Sequence, residues 1–231
     1  MTSIAANLQA VRARIAAACL AAGRPAESVQ LLAVSKTWPA ASVREAAAAG
    51  QRAFGENYVQ EAAGKGTELA GMDLEWHFIG PLQSNKTRPV AEGFAWVHSV
   101  DRLKIAERLA AQRPAALPPL NVCLQVNVSG EASKSGCAPE QCLELAAAIA
   151  PLPGLRLRGL MAIPEPTADI ARQRRQFDLL RRTLERINTG LDFRLDTLSM
   201  GMSDDLEAAI MEGATIVRVG TAIFGQRDYT T

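Results

Sequence analysis

Histidine and cysteine are scarce in this chain, and neither has the spacing of a metal site. The 231 residues contain two histidines, His77 and His98, and four cysteines. No two cysteines form a C-x-x-C pair, and no histidine pair stands near them. The cysteines are Cys19, Cys123, Cys137 and Cys142. We therefore expect no metal, and free thiols in a reducing cytoplasm.

An excess of one charge is also missing, as is a long hydrophobic run. Lysine and arginine number 25 against 24 acidic residues, and this net charge of +1 excludes a general attraction to nucleic acid or membrane. The arginines from Arg172 to Arg186 have helical spacing and favour a solvated helix face over a nucleic-acid patch. Residues 1–23 are alanine-rich with charges inside, which predicts an amphipathic helix rather than a signal or membrane span.

No glycine-rich turn follows the first predicted strand, which weighs against an open nucleotide-binding sheet. Short apolar runs alternate with amphipathic segments eight times. This favours an α/β fold, a closed (β/α)8 TIM barrel with an extra N-terminal helix, over the doubly wound alternative. We expect residues 1–231 to form one domain. The predicted strands are 31–35, 52–55, 76–79, 95–98, 122–128, 157–162, 197–200 and 216–219, and predicted helices include 41–49, 101–111, 139–150, 168–188 and 204–212.

Lysine is rare as well, with five lysines against twenty arginines. Lys36 alone ends a clean hydrophobic strand, and Thr37-Trp38-Pro39 then stops that strand. Burial at such a position lowers the pKa of an amine, and a neutral amine forms a Schiff base with an aldehyde. The alternative is a structural lysine whose amine reaches water at the strand end.

Two loops at the carboxyl ends of the last strands have the composition of a phosphate site. Ser199-Met200-Gly201-Met202-Ser203 leads into a helix expected to carry Asp204 and Asp205 in its first turn, and Gly220-Thr221 follows the eighth strand. Glycine amides and hydroxyls at this end of a barrel bind phosphate. The alternatives are a helix N-cap for Ser203 and an ordinary turn for Gly220. A lysine beside a phosphate site predicts a ligand with an aldehyde and a phosphate, either pyridoxal phosphate or a phosphorylated sugar.

Arg218 ends the eighth strand and helps to separate these ligands. Its guanidinium is expected to donate to the ring nitrogen of pyridoxal phosphate. Two adjacent positive charges repel, so that nitrogen stays unprotonated and the ring becomes a weaker electron sink. The alternative is an ordinary arginine in an ion pair.

Five stretches carry a resemblance that spans nearly the whole chain. They are AVSK at 33–36, FGENYVQE at 54–61, WHFIGPLQSNK at 76–86, SMGMSD at 199–204 and RVGTAIFG at 218–225. Through them the chain resembles the pyridoxal phosphate homeostasis protein family, and it is similar to the barrel domain of the alanine racemase type. That family is described as a cofactor carrier or regulator without established catalytic activity.

The resemblance implies roles for individual residues. Lys36 is expected to hold pyridoxal phosphate, Arg218 to face its ring nitrogen, and Asn57 and His77 to line the pocket. The phosphate is expected to lie on the loops that contain Ser199, Gly201, Ser203, Gly220 and Thr221. We also expect a monomer, because a dimerising β-domain is absent, and a cytoplasmic protein, because its thiols are free. Transient contact with pyridoxal-phosphate-dependent enzymes is expected as well.

An amino-acid racemase and a Schiff-base aldolase without cofactor are the alternative functions. Racemases of the similar barrel type add a β-domain that supplies a tyrosine as the second acid/base. This chain ends at Thr231, and its tyrosines are Tyr58 and Tyr229. Racemisation needs groups on both faces of the ring, so we expect a carrier rather than an enzyme.

Overall fold

Eight parallel strands form a closed barrel, as the sequence predicts. The structure is a computed structural model that describes residues 3–130 and 135–226. The strands are β1 (Gln30–Val34), β2 (Ala53–Glu56), β3 (Glu75–Phe78), β4 (Trp96–Val100), β5 (Leu120–Gln125), β6 (Leu155–Met161), β7 (Thr197–Ser199) and β8 (Ile216–Val219). Each strand pairs with the next along the chain, and the pairing of β1 with β8 closes the barrel. The predicted (β/α)8 architecture is confirmed.

Helices cover the outside of the barrel, and one helix precedes the first strand. The helices are α1 (Ile4–Ala21), α2 (Ala40–Ala48), α3 (Val59–Glu68), α4 (Thr87–Gly93), α5 (Leu103–Gln112), α6 (Cys142–Ile149), α7 (Ile170–Gly190), α8 (Leu206–Met211) and α9 (Thr221–Phe224). Short 3-10 turns lie at Ala26–Ser28, Ser84–Lys86 and Pro139–Gln141.

Several helices differ from their predicted bounds, and three of these differences have local reasons. The prediction omits α3 and α4: Gly64 and Gly66 lower the helix propensity of α3, and Pro89 lies in the first turn of the short α4. The third, α8, begins at Leu206 and not at 204. The Asp205 carboxylate accepts a hydrogen bond of 2.5 Å from the Met202 amide, which holds the preceding residues in a turn.

The apolar core has two layers because successive strand residues face opposite sides of the sheet. The outer layer lies between barrel and helices and contains Phe54, Phe78, Leu124 and Phe177. The inner layer fills the barrel, and its members are Leu32, Val34, Ala53, Ile79, Trp96, Cys123, Met161 and Ile216. The barrel interior is therefore a packed core and not a pore.

Helix α1 is long and apolar enough to cross a membrane by length and composition. In this structure it packs on the barrel instead, with Leu8, Val11 and Ile15 buried. Its polar groups also bind the last units of the barrel, since Asn7 Nδ2 donates to the Ile223 carbonyl at 2.8 Å. These contacts assign α1 to the fold as a packed helix.

A buried charge cluster of Glu56, Glu61 and Lys65 fixes the backbone on both sides of Lys36. Lys65 Nζ donates to Glu56 Oε1 at 2.7 Å and to Glu61 Oε1 at 2.6 Å, and also to the Ser35 carbonyl. Glu61 Oε1 accepts from the amide of Thr37, whose φ of 68° lies in the left-handed region. Burial raises the pKa of Glu56 despite its hydrogen bond to Lys65. The cluster holds a strained turn that presents Lys36.

The two histidines lie inside the barrel, and both are fully buried. Burial lowers the pKa of His77 and lowers that of His98 well below its ordinary value. The charge of Arg218 lowers the pKa of His98 further. Both rings are therefore neutral near pH 7.

We expect Lys65→Met to lower the free energy of unfolding by about 3 kcal/mol, because it leaves the Glu56 carboxylate buried without its cation. Urea unfolding measures this change. Lys104→Met, on the exposed face of α5, is the matched control and should change stability by less than about 0.5 kcal/mol. The double variant Lys65→Met/Glu56→Gln should recover part of the loss. Equal stability of Lys65→Met and Lys104→Met would contradict the cluster's role.

The second prediction concerns pH. A histidine whose pKa is lowered by folding stabilises the protein above about pH 6.5, and this stability is lost as the pH falls towards the folded pKa. We expect the wild type to lose about 1 kcal/mol more than His98→Gln between pH 7.5 and 5.5. Urea titrations at both pH values measure the difference, and Glu56 contributes equally to both proteins. Parallel pH profiles would show that His98 is not buried as a neutral ring.

Candidate functional site at the barrel mouth

A cavity of about 770 Å³ opens at the carboxyl ends of the strands. This volume suits a small-molecule ligand. Six of the residues predicted from the sequence line it, namely Lys36, Asn57, Ser203, Arg218, Gly220 and Thr221. The structure therefore brings together residues at or just after the ends of strands β1, β2, β7 and β8, which are far apart in the chain.

Lys36 lies just beyond the end of β1, and its residue is half-buried. The sequence predicts Lys36 from its position at the end of a hydrophobic strand, and the most buried described lysine is instead Lys65, at 4% exposure. Lys65 is engaged with two carboxylates and a carbonyl, whereas Lys36 lines the cavity. Position at the mouth, rather than depth, distinguishes Lys36.

Asn57 follows β2 and contributes an unsatisfied acceptor. Its Oδ1 atom is buried and has no hydrogen-bond partner among the described residues. Its backbone is packed closely by Gly80, where a Cβ atom would stand 2.3 Å from the Asn57 carbonyl oxygen. A buried amide oxygen without a donor is costly, so a ligand that donates to it would be stabilised.

The loops after β7 and β8 form one wall of the cavity through Ser203, Gly220 and Thr221. In the described chain, the amides of Ser203 and Thr221 donate no backbone hydrogen bond. Gly201 does not line the cavity, but its φ of 92° and a space closed by Ala209 permit only glycine there. The two loops offer hydroxyl and amide donors, the set that binds a phosphate.

Arg14 reaches the cavity from α1, a contact that the sequence does not predict. Its guanidinium pairs with Glu207 at 2.9 Å, and Nη2 donates to the Ser203 carbonyl at 2.9 Å. The first helix thus supports the loop that follows β7. A solvated arginine in an alanine-rich helix carries no pattern that predicts such a partner.

Arg218 lines the cavity at only 3% exposure, with neutral acceptors around it. Nη1 donates to the carbonyl and hydroxyl of Ser199 at 2.6 and 2.9 Å, and Nη2 donates to the Ala162 carbonyl at 2.8 Å. Burial lowers the pKa of Arg218 to about 10, so the side chain is charged at pH 7. Arg218 therefore brings a positive charge to the cavity without a direct carboxylate partner among the described residues.

Ser199 and His77 occupy other places than the sequence predicts. The Ser199 hydroxyl is fully buried, is hydrogen-bonded to His98 and Arg218, and does not line the cavity. His77 does not line the cavity, because both ring nitrogens are engaged inside the barrel with Glu75 and His98. The strand positions were right, but the depth of these side chains depends on the inter-strand register.

Comparison with known proteins gives the same fold and a family. The family model for the alanine racemase N-terminal domain matches residues 4–228. The chain is 70% identical over 229 residues to the pyridoxal phosphate homeostasis protein of Pseudomonas aeruginosa, covering 99% of this chain and 98% of that one. It is 58% identical over 236 residues to the protein of the same name from Escherichia coli K12, covering 100% and 99%.

Solved structures extend the comparison. PipY of Synechococcus elongatus, solved with pyridoxal phosphate bound, matches with a TM-score of 0.86 and 41% identity over 96% of this chain and 100% of that chain. Alanine racemase from Corynebacterium glutamicum matches with a TM-score of 0.71 and 17% identity, over 95% of this chain and 62% of that chain, a likeness of fold alone. On the sequence identities over nearly its full length, the chain belongs to the pyridoxal phosphate homeostasis protein family, whose barrel is of the alanine racemase N-terminal type.

Proposed function

We propose that this protein binds pyridoxal 5'-phosphate in the mouth cavity and buffers or delivers it. One observation carries the proposal: Lys36, Arg218 and the loops after β7 and β8 line the same cavity. An amine, a cation and a set of phosphate donors in one space match the aldehyde, ring nitrogen and phosphate of this molecule. The relatives named for pyridoxal phosphate homeostasis support the same choice.

The residues present fit the ligand in size, charge and hydrogen bonding. The cavity volume of about 770 Å³ accommodates a phosphorylated pyridine. Lys36 and Arg218 supply positive charge, and Ser203 and Thr221 supply donors for an anion. The buried Asn57 Oδ1 atom is an acceptor for a ligand hydroxyl.

Lys36 is proposed to hold the ligand as a Schiff base. Once it has lost its proton, the Lys36 amine would add to the aldehyde carbon, and loss of one water molecule would leave a carbon–nitrogen double bond. Water or another amine reverses this linkage at the open mouth. Reversible covalent capture by Lys36 keeps the reactive aldehyde sequestered and still permits transfer.

Two features favour a carrier over a racemase. A bound ring supplies an electron sink, and the charged Arg218 guanidinium opposes protonation of its nitrogen. The described lining residues include no tyrosine or histidine to act as a second acid/base, and Tyr58 lies outside the lining. Tyr229 lies outside the described residues.

We further propose that the carrier works in the cytoplasm as a monomer and meets pyridoxal-phosphate-dependent enzymes only transiently. The four cysteines are free thiols, consistent with a reducing compartment. The near-neutral chain offers no general attraction to nucleic acid or membrane. An accessible mouth is sufficient for transfer through solution or on contact.

Lys36→Ala should abolish the visible absorption of the bound ligand and the adduct fixed by borohydride, because no amine remains to bond the aldehyde. Absorption spectra and peptide mapping measure both, with the exposed Lys104→Ala as control. An adduct on Lys65 or Lys86 in the wild type would contradict the assignment. Racemisation of L-alanine by the wild type at about 1 per second or faster would favour the enzyme alternative.

Ser203→Ala and Thr221→Val should each weaken pyridoxal phosphate binding by about ten- to a hundredfold, since each removes a donor to a charged group. Affinity for pyridoxal, which lacks the phosphate, should not change. Fluorescence titration measures both ligands, and Thr189→Val on the exposed face of α7 is the matched control. Equal losses for both ligands would place the phosphate elsewhere.

A further inference from the structure

A chain of hydrogen bonds crosses the barrel interior from Glu75 to Arg218. Glu75 Oε1 and His77 Nε2 are 2.8 Å apart, and His77 Nδ1 and His98 Nε2 are 2.9 Å apart. His98 Nδ1 lies 2.7 Å from Ser199 Oγ, which accepts from Arg218 Nη1 at 2.9 Å. The chain thus links the amino end of β3 with the cavity at the end of β8, through β4 and β7.

The Glu75 end and the neutral state of both histidine rings fix the direction of the protons along the hydrogen-bond chain. The Glu75 carboxylate only accepts, so His77 donates from Nε2 and, as a neutral ring, accepts at Nδ1. His98 must then donate from Nε2 and accept at Nδ1, where the Ser199 hydroxyl donates. The Arg218 guanidinium only donates, so Ser199 Oγ accepts its hydrogen bond through a lone pair. The guanidinium end is compatible with the order that Glu75 sets, because Ser199 Oγ accepts from Arg218 while its own proton goes to His98.

The groups around this chain of hydrogen bonds are consistent with this order of protons. Hydrogen bonding to His77 lowers the pKa of Glu75, so the carboxylate is ionised at pH 7. Gln30 Nε2 also donates to Glu75 Oε1, at 3.2 Å. His77 is stacked on Trp96 with ring centroids 5.4 Å apart and planes 5° apart, which fixes its ring orientation. The histidines and Ser199 are fully buried, so water does not compete along the chain.

The chain of hydrogen bonds also connects Arg218 to a remote negative charge. The direct partners of its guanidinium are two carbonyls and one hydroxyl, all neutral. Asp205 acts on Arg218 only through space, and Arg218 forms no ion pair among the described residues. Glu75 is a carboxylate connected to it by hydrogen bonds, and the Glu75 side chain is 41% exposed at the far end of the barrel.

We propose that Glu75, His77, His98 and Ser199 form a positioning relay that orders the protons behind Arg218 and so holds its guanidinium towards an unprotonated ring nitrogen in the cavity. The Glu75 carboxylate makes the Ser199 hydroxyl point away from the guanidinium and leaves Oγ as its acceptor. Glu75 is a positioning residue, because it acts on the ligand only through Arg218. The part of this inference that concerns the ring nitrogen rests on the proposed function.

The proton order is tested first in the ligand-free protein. Two-bond ¹H–¹⁵N spectra of untagged protein labelled with ¹⁵N-histidine distinguish the two neutral tautomers and the cation. We expect both rings to carry the proton on Nε2 at pH 7.5. Glu75→Gln is nearly isosteric, but its amide can accept or donate, so a second tautomer should appear. A wild-type ring protonated on Nδ1, or a cationic ring, overturns the relay.

Ligand binding then tests the link to Arg218. Glu75→Gln should weaken pyridoxal phosphate binding about three- to tenfold relative to the exposed control Glu107→Gln. Binding of 1-deazapyridoxal phosphate, which has a C–H group in place of the ring nitrogen, should not change. Equal affinities of both variants for pyridoxal phosphate overturn the relay. Failure of the wild type to bind either compound overturns the proposed function, and the histidine spectra still decide the proton order.

Discussion

The pairing of β1 with β8 is the contact on which the cavity depends. It aligns Leu32 with Arg218, and it brings the end of β1 against the loop after β8. At Gly220 a Cβ atom would stand 3.2 Å from the Val34 carbonyl oxygen, so the two chain segments approach closely. Lys36, which extends beyond β1, therefore shares a cavity with Arg218. Without barrel closure the amine and the guanidinium would belong to opposite edges of an open sheet.

Two buried polar assemblies support the two cations of the cavity in different ways. The Glu56–Glu61–Lys65 cluster contacts the backbone beside Lys36 and leaves the amine in the mouth. The chain behind Arg218 contacts the side chain itself, through neutral groups. Both assemblies replace apolar packing with desolvated polar groups, which costs stability unless every partner is present. Both assemblies lie next to the cavity, where the orientation of Lys36 and Arg218 matters for a ligand.

The sequence predicts the barrel because buried parallel strands are continuous apolar runs. It indicates Lys36 as a ligand-binding residue because this lysine ends such a run. The depth at which a side chain lies is harder to predict, since it depends on the strand register and strand tilt around the whole barrel. Ser199 was therefore placed in the cavity although its hydroxyl lies beneath it. Arg14 and Lys65 were missed for a related reason. Arg14 binds Ser203 and Glu207, which are distant in the chain. Lys65 binds Ser35 and Glu56 on other elements, and its pair with Glu61 alone among these contacts has the i,i+4 spacing that a local pattern encodes.

Helix α1 ties the start of the chain to its end, and this has a consequence for synthesis. The hydrogen bond from Asn7 to Ile223 joins residues 216 positions apart, and Arg14 supports the loop after β7. Such distant contacts form only after the chain entropy of a very long loop has been overcome. A chain emerging from the ribosome therefore has no complete cavity until β8 and α9 are available. The order of synthesis delays ligand capture until the whole barrel exists.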